Sequence, residues 1–354
     1  MSQLSLFDDA PADADPAPPR HRSSATGPAP GVAAAAPPAA LARLAAALPT
    51  GLRLGTSSWS FPGWAGLVYA GPASKAVLSR DGLTAYARHP LFGTVGVDCG
   101  FYAPLDAQRL ARWAAQVPAE FRFPVKAPAA VTQRRLRAGE GRWQPNPGFL
   151  DVATALREAV EPFQKGLSER AGVLLFQFPP QGRDIDARRF AEDLYRFLKR
   201  LPAGPTYAVE LRDATLLTPD FAAALHHGGA VPSYACHPRL PAVPVQGELF
   251  ATQPGFGPGN SGPLVIRWLL RRNRGYEEAR DLYGPFDRLA EPDPDTRHAV
   301  VALVAAALAN GREVFVIVNN KAEGSSPLSV VELARAVVAG GAPAQPACAP
   351  QPLC

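Results

Sequence analysis

The run Tyr207-Ala208-Val209-Glu210-Leu211-Arg212-Asp213 concentrates the chemistry of this chain. Side chains alternate between the two faces of a strand, so Glu210 and Arg212 aim a carboxylate and a guanidinium at one space. Two uses fit that couple: a buried ion pair that fixes the end of a strand, or a pair that binds a ligand. Phe123-Pro124-Val125-Lys126-Ala127-Pro128 ends a second apolar run on a lysine, just ahead of a proline-bounded loop. Lys126 can neutralise a phosphate, form a Schiff base with a carbonyl if burial lowers its pKa, or pair with Glu210 or Asp98. Glu210, Lys126 and Asp98 are the candidate catalytic groups.

A third run, Val314-Phe315-Val316-Ile317-Val318, leads straight into Asn319-Asn320-Lys321-Ala322-Glu323-Gly324-Ser325-Ser326-Pro327. Two amides behind a buried strand must be hydrogen-bonded, and Gly-Ser-Ser-Pro can open a helix whose N-terminus attracts anions. Asn319, Asn320 and Lys321 either bind a ligand there or cap strand and helix ends. Gln177 and Arg267 interrupt two other apolar runs, and buried polar groups need partners. Ser57 and Trp59, in the segment Gly55 to Trp64, and Tyr102, in the segment Asp98 to Pro104, add hydroxyls and aromatic rings. Trp59, Trp64, Phe101 and Tyr102 either stack on a base or sugar or pack a lid. His226, His227, His237 and His298 lack ligand spacing, so no metal or cofactor is expected.

These groups need elements to hold them. Strands are predicted at Leu52–Ser57, Gly93–Asp98, Phe121–Lys126, Gly172–Phe178, Thr206–Leu211, Ala230–Tyr234, Pro263–Leu269 and Glu313–Val318. Helical periodicity falls between them, at Leu83–His89, Asp106–Gln116, Phe149–Lys165, Asp186–Arg200, Pro219–His227, Asp295–Asn310 and Leu328–Val338. Eight strands, each followed by a helix or long loop, specify an α/β fold of the closed (β/α)8 TIM-barrel type, with ligands meeting the C-terminal strand ends. Strand patterning by itself does not demonstrate closure.

The chain has 354 residues, 47% of them hydrophobic, and a net charge of +5 carried mostly by arginine. That length suits one barrel of about 250 residues plus tails, and the charge favours phosphate or carboxylate partners. No apolar run approaches the roughly 18 residues of a membrane span, and the acidic N-terminus is unlike a leader, so a cytoplasmic location without membrane partners is expected. Cys99, Cys236, Cys348 and Cys354 lack a framework spacing and are read as reduced thiols.

The organisation expected is a docking peptide at 1–9, a disordered Pro/Ala-rich linker at 10–49 with a short helix near 41–48, a barrel at 50–339, and a disordered tail at 340–354. As a flexible coil the linker spans on the order of 35 Å. Gln3, Leu4, Leu6 and Phe7 form an apolar hook too short to fold alone, and Gln3-Leu4-Ser5-Leu6-Phe7 resembles the sliding-clamp-binding motif of bacterial replication and repair proteins. Gln246-Gly247-Glu248-Leu249-Phe250 is a poorer second match, expected in a loop.

Six motifs in order, from Gly55-Thr56-Ser57-Ser58-Trp59-Ser60 through Phe101-Tyr102, Val125-Lys126-Ala127-Pro128, Leu175-Phe176-Gln177-Phe178-Pro179-Pro180 and Val209-Glu210-Leu211-Arg212-Asp213 to Asn319-Asn320-Lys321-Ala322-Glu323-Gly324, resemble the YecE-like family, domain of unknown function 72. The resemblance runs from about Leu52 to Val338 and implies a TIM-like barrel with a pocket, not a reaction. The family pattern Val-Glu-x-Asn appears here as Val95-Gly96-Val97-Asp98, which removes a carboxylate at Gly96. Two readings follow. One is nucleic-acid processing or repair, with a phosphate-bearing element bound at the strand ends and recruitment through a sliding clamp. The other is a metal-independent enzyme acting on a phosphorylated sugar or related metabolite, with Glu210 as acid/base, Lys126 and Arg267 clamping the anion, and the asparagines orienting hydroxyls.

Overall fold

In a computed structural model, residues 31–137, 142–182, 184–252 and 262–340 are described. Eight parallel strands form one sheet: β1 (Leu52–Thr56), β2 (Phe92–Val95), β3 (Phe123–Lys126), β6 (Ala171–Phe178), β7 (Thr206–Leu211), β8 (Ala230–Cys236), β9 (Leu264–Trp268) and β10 (Val314–Val318). The order is β2-β1-β10-β9-β8-β7-β6-β3. Its two edges meet through Thr94 opposite Arg122 and Val97 opposite Val125. There the Val97 amide donates to the Pro124 carbonyl at 2.9 Å, and the Lys126 amide donates to Val97 at 3.0 Å. The sheet therefore closes into the expected barrel.

Closure has two irregular seams, each with a local cause. Pro124 has no amide hydrogen to donate, and the β3–β6 register shifts between Phe123 and Val125. The β1–β2 register shifts between Leu54 and Gly55. At Gly55 an added Cβ would fall 1.9 Å from the Thr94 carbonyl oxygen, so only glycine lets the two backbones come this close. The buried Tyr86 hydroxyl stitches the same seam, accepting from the Thr56 amide and donating to the Thr94 carbonyl, both at 3.0 Å.

Inside the barrel, Val173, Leu175, Ala208, Val231, Val265, Phe315 and Ile317 pack as one cluster. Period-two alternation carries the same inward face upward to Gln177 on β6, Glu210 on β7, Ser233 on β8 and Arg267 on β9. Strand registers place Gln177 opposite Glu210 and Ile317 opposite Arg267. The interior thus changes from apolar to polar toward the C-terminal strand ends.

The outer helices begin at capping residues and bury one stripe each. Asp186 accepts from the Arg189 amide at 2.7 Å to start Ala187–Lys199, which buries Phe190, Ala191, Leu194, Phe197 and Leu198. Pro219–Gly228 is capped by Thr218 and ends at left-handed Gly229.

Several expectations are corrected. Residues 31–49 are not part of a loose linker. The Ala35 amide donates to the Val68 carbonyl, Ala70 donates to Ala33, and Leu41, Leu44 and Leu48 of the helical stretch around Ala39–Ala46 pack on the core. Residues 1–30 and 341–354, including the hook Gln3, Leu4, Leu6 and Phe7, the rest of the linker and nearly all of the tail, lie outside the described residues. Gln246 to Phe250 lies in the helix Val243–Ala251, not in a loop. The Gln246 amide binds the backbone of Ala235 and Pro241, and Phe250 packs on Phe221 and Tyr234, so neither is free to dock. A hairpin not expected from the sequence, β4 (Arg135–Arg137) with β5 (Trp143–Pro145), stands between β3 and β6. Among the described residues no helix is long and apolar enough to cross a membrane.

Candidate functional site

A cavity of about 400 Å³ opens at the C-terminal strand ends. Its floor is built around Arg267. One terminal nitrogen, Nη2, donates to both Asp98 oxygens at 2.7 and 2.6 Å, and the other, Nη1, donates to the two Glu210 oxygens at 3.3 and 3.2 Å. Arg212 Nε also donates to Glu210 Oε1, at 2.7 Å, and Ser233 Oγ donates to Oε2 at 3.4 Å. Lys126 Nζ lies 3.7 Å from Asp98 Oδ1 and 5.2 Å from the centre of the Phe101 ring.

The sequence couple Glu210–Arg212 is thus an ion pair and more, because Arg267 from β9 joins it. Glu210 is fully buried behind the arginines and is not part of the cavity wall. Burial by itself would raise its pKa, but Arg267, Arg212 and Lys126 together with the Arg212 hydrogen bond bring it down to about 2. A carboxylate so engaged holds guanidinium groups in place and is badly situated to exchange protons with a ligand. Lys126 has the opposite balance. Burial lowers its pKa, Asp98 pulls the other way, Arg267 and Arg212 lower it and Glu210 raises it, and the balance leaves it at about 8.

Ser57, Trp59, Asp98, Tyr102, Lys126, Gln177, Arg212, Arg267, Asn319 and Lys321 all line the cavity, so the structure brings together ten of the residues singled out in the sequence. Asn319 Nδ2 donates to Ser57 Oγ at 2.8 Å, and its oxygen accepts from the Lys321 amide at 3.0 Å. Lys321 sits over the Tyr276 ring, 4.3 Å from its centre. Trp59 stands edge-on to Trp113, and Tyr102 edge-on to Phe101.

Asn320 and Trp64 turn away from the cavity. Asn320 Oδ1 accepts from Trp64 Nε1 at 3.3 Å and from the amide and hydroxyl of Ser326 at 2.9 and 2.8 Å. It thereby occupies the start of the helix Ser326–Ala339, where Ser325 and Ser326 are buried, so that N-terminus is not open to an anion. Glu323 is likewise a fastener: it accepts from the Asp293 amide at 2.6 Å and pairs with Arg297.

Sequence patterning missed the far wall. Gln133, Arg134, Arg135 and Trp143 reach the cavity from the β4–β5 hairpin and its approach, and Gln181 ties that approach down. Its oxygen accepts from the Arg134 amide at 3.0 Å, and its nitrogen donates to the Thr132 carbonyl at 3.1 Å. Arg134 also pairs with Asp184 at 2.7 Å. His237, which lacks metal-ligand spacing in the sequence, follows β8 and lines the cavity. Its Nδ1 accepts from the Arg239 amide at 3.2 Å, which assigns the neutral-ring proton to Nε2. The dipeptide Arg134-Arg135 ahead of Trp143 was a basic and aromatic signal that short strands of only three residues kept hidden.

Among the described residues eight cationic side chains, Lys75, Arg109, Lys126, Arg134, Arg135, Arg212, Arg267 and Lys321, share this wall with two carboxylates, Asp98 and Asp184. Gly96 lies on the floor, where an added Cβ would sit 3.1 Å from Ile317 Cγ2. A third carboxylate there would have cut the positive excess.

Residues 53–352 match the family model described as "Protein of unknown function DUF72". The chain belongs to the DUF72 family. A DUF72 family protein from Thermotoga maritima superposes with a TM-score of 0.54 at 19% identity, covering 81% of this chain and 98% of that one. A DUF72 family protein from Enterococcus faecalis gives 0.53 at 20% identity, with 81% and 95% covered. At such identities these two support the barrel and nothing finer. The UPF0759 protein YunF of Bacillus subtilis is 28% identical over 143 residues, 40% of this chain and 46% of its own length, so the match spans less than half of that relative. The DUF72 assignment covers the barrel and its cavity together.

Proposed function

We propose that this DUF72 barrel binds a phosphate-bearing ligand about one nucleotide in size at its C-terminal strand ends, and that it serves nucleic-acid processing, brought to its sites by residues 3–7 on a sliding clamp. The observation that carries the reading is the cationic cavity: eight cations against two carboxylates, with Arg267 locked by Asp98 and Glu210 rather than free to swing. The terminal nitrogens of Arg212 project from a side chain already anchored at Nε, a geometry suited to anion recognition. Gln177 faces the same space, and its amide has no partner among the described residues. Trp59, Tyr102 and Trp143 offer ring faces and edges for a base or sugar. A cavity of this volume takes one such unit, not a duplex.

The test is binding of a labelled single-stranded oligonucleotide across a salt series, with inorganic phosphate as competitor. Each phosphate neutralised should add about 0.7 to the negative slope of log affinity against log salt. A flat slope with no phosphate competition would remove the nucleic-acid reading.

A second reading rests on Lys126, an amine at the floor of a cavity that encloses a single small ligand. It is a metal-independent enzyme acting on a phosphorylated sugar or related metabolite. Sugar phosphates that raise the melting temperature of the native protein and fail to do so for Lys126→Ala would favour it. A panel that never shifts either protein would count against it.

A further inference from the structure

Five lysines occur in the chain, and Lys126 differs from the others in its electrostatic setting. At the floor three cations, Lys126, Arg212 and Arg267, face two carboxylates, Asp98 and Glu210. Arg267 takes both oxygens of Asp98 and shares Glu210 with Arg212. Lys126 is left with one longer contact to Asp98, at 3.7 Å. One positive charge is therefore in excess, and an amine can shed it where a guanidinium cannot. The side chain is 8% exposed, and its open side is the cavity.

We propose that Lys126 forms a Schiff base with the carbonyl of a phosphate-bearing aldehyde or ketone, held by the cationic wall around Arg212; this rests on the phosphate reading above. The nitrogen lone pair attacks the carbonyl carbon, a C–N bond forms, and the carbonyl π pair moves to oxygen. The C–O bond then breaks, the nitrogen pair closes C=N, and both amine protons leave with the oxygen as water. No oxidant, reductant or metal enters the balance. Asp98, the carboxylate nearest the amine at 3.7 Å, lines the same cavity. The pKa near 8 leaves a large fraction of the amine neutral in mildly alkaline solution, as attack requires.

Pyridoxal 5′-phosphate, an aldehyde with a phosphate, is the probe. The full-length protein is incubated with it at pH 8, reduced with borohydride, digested and mapped by mass spectrometry. Lys126 should carry at least about tenfold more label than Lys75, Lys165, Lys199 or Lys321, and pyridoxal without phosphate should label it about tenfold less, a factor worth about 1.4 kcal/mol. Label on the other lysines with Lys126 bare overturns the proposal. If pyridoxal and its phosphate label Lys126 equally, the amine chemistry stands and the phosphate reading falls. If phosphate stabilises the protein while Lys126 stays bare, the phosphate reading stands and the amine chemistry falls. An adduct trapped at Lys126 with glyceraldehyde 3-phosphate, or with an oligonucleotide bearing one base-free deoxyribose, supports the proposal and identifies the source of the carbonyl.

Discussion

Arg267 is gripped by two carboxylates, Glu210 on β7 and Asp98 in the turn that follows β2, and this single fact shapes the behaviour of the floor. Glu210 has its pKa lowered from near 4.5 to about 2, so the stability it contributes is fully present above pH 4.5 and is lost as pH falls toward 2. The span of that shift corresponds to roughly 3 kcal/mol. Glu210→Gln should lower stability at pH 7 by about 3–5 kcal/mol, because it removes the buried carboxylate that Arg212 and Arg267 share, and should flatten the acid limb of a stability–pH curve. An acid limb unchanged between pH 4.5 and 2 would show that Glu210 is not the coupled group. Lys126 runs the other way. Its folded pKa lies below its unfolded one, so burying the ammonium is a penalty that is present below pH 8 and fades as pH rises toward 10.5. Acetylation of Lys126, followed by mass spectrometry, should show half-maximal rate near pH 8.

Elements make the site by bringing chain ends together across gaps of sequence. The hairpin is the clearest instance, since its two short strands owe their position to Gln181, which binds Thr132 and Arg134. Gln181→Ala should cost about 1–3 kcal/mol locally by leaving those backbone groups unpaired. Amides of Arg135 to Arg137 should then exchange faster with deuterium, while the strands of the barrel keep their protection. The β1–β2 seam is less forgiving. Gly55→Ala places a methyl group inside the Thr94 carbonyl, and the expected result is a melting temperature lowered by about 5 °C or more, if the protein folds at all. A variant as stable as the native chain would mean that the seam can widen.

At the scale of the molecule, residues 31–49 run along the barrel and cross the Trp64–Tyr69 segment, and Tyr69 in turn bonds the backbone of Trp59 at the cavity wall. If the hook docks on a sliding clamp, native protein should bind purified clamp with a Kd in the micromolar range, about −8 kcal/mol, and Phe7→Ala should abolish binding without changing the melting temperature. Equal binding by the two proteins would dissociate the hook from recruitment.

Period-two alternation in the eight runs and helical periodicity between them were enough to lay out the alternating strands and helices, because both depend only on neighbours within one element, whereas closure rests on the distant pairs Thr94–Arg122 and Val97–Val125. The same local rule placed Glu210 and Arg212 on one face and put Lys126, Gln177, Arg267 and Asn319 at strand ends. Which of these face the cavity was decided by tertiary structure. Only the closed sheet sets Arg267 between Asp98 and Glu210, strands apart in sequence, and this withdraws Glu210 from the wall while leaving Lys126 on it. Asn319 and Asn320 are adjacent and identical in type, yet one lines the cavity and the other caps a helix, because successive residues leaving a strand point in opposite directions. The composition of residues 31–49 offers little apolar variety with which to order the segment alone. Burial against a core formed by distant residues supplies what their own composition lacks.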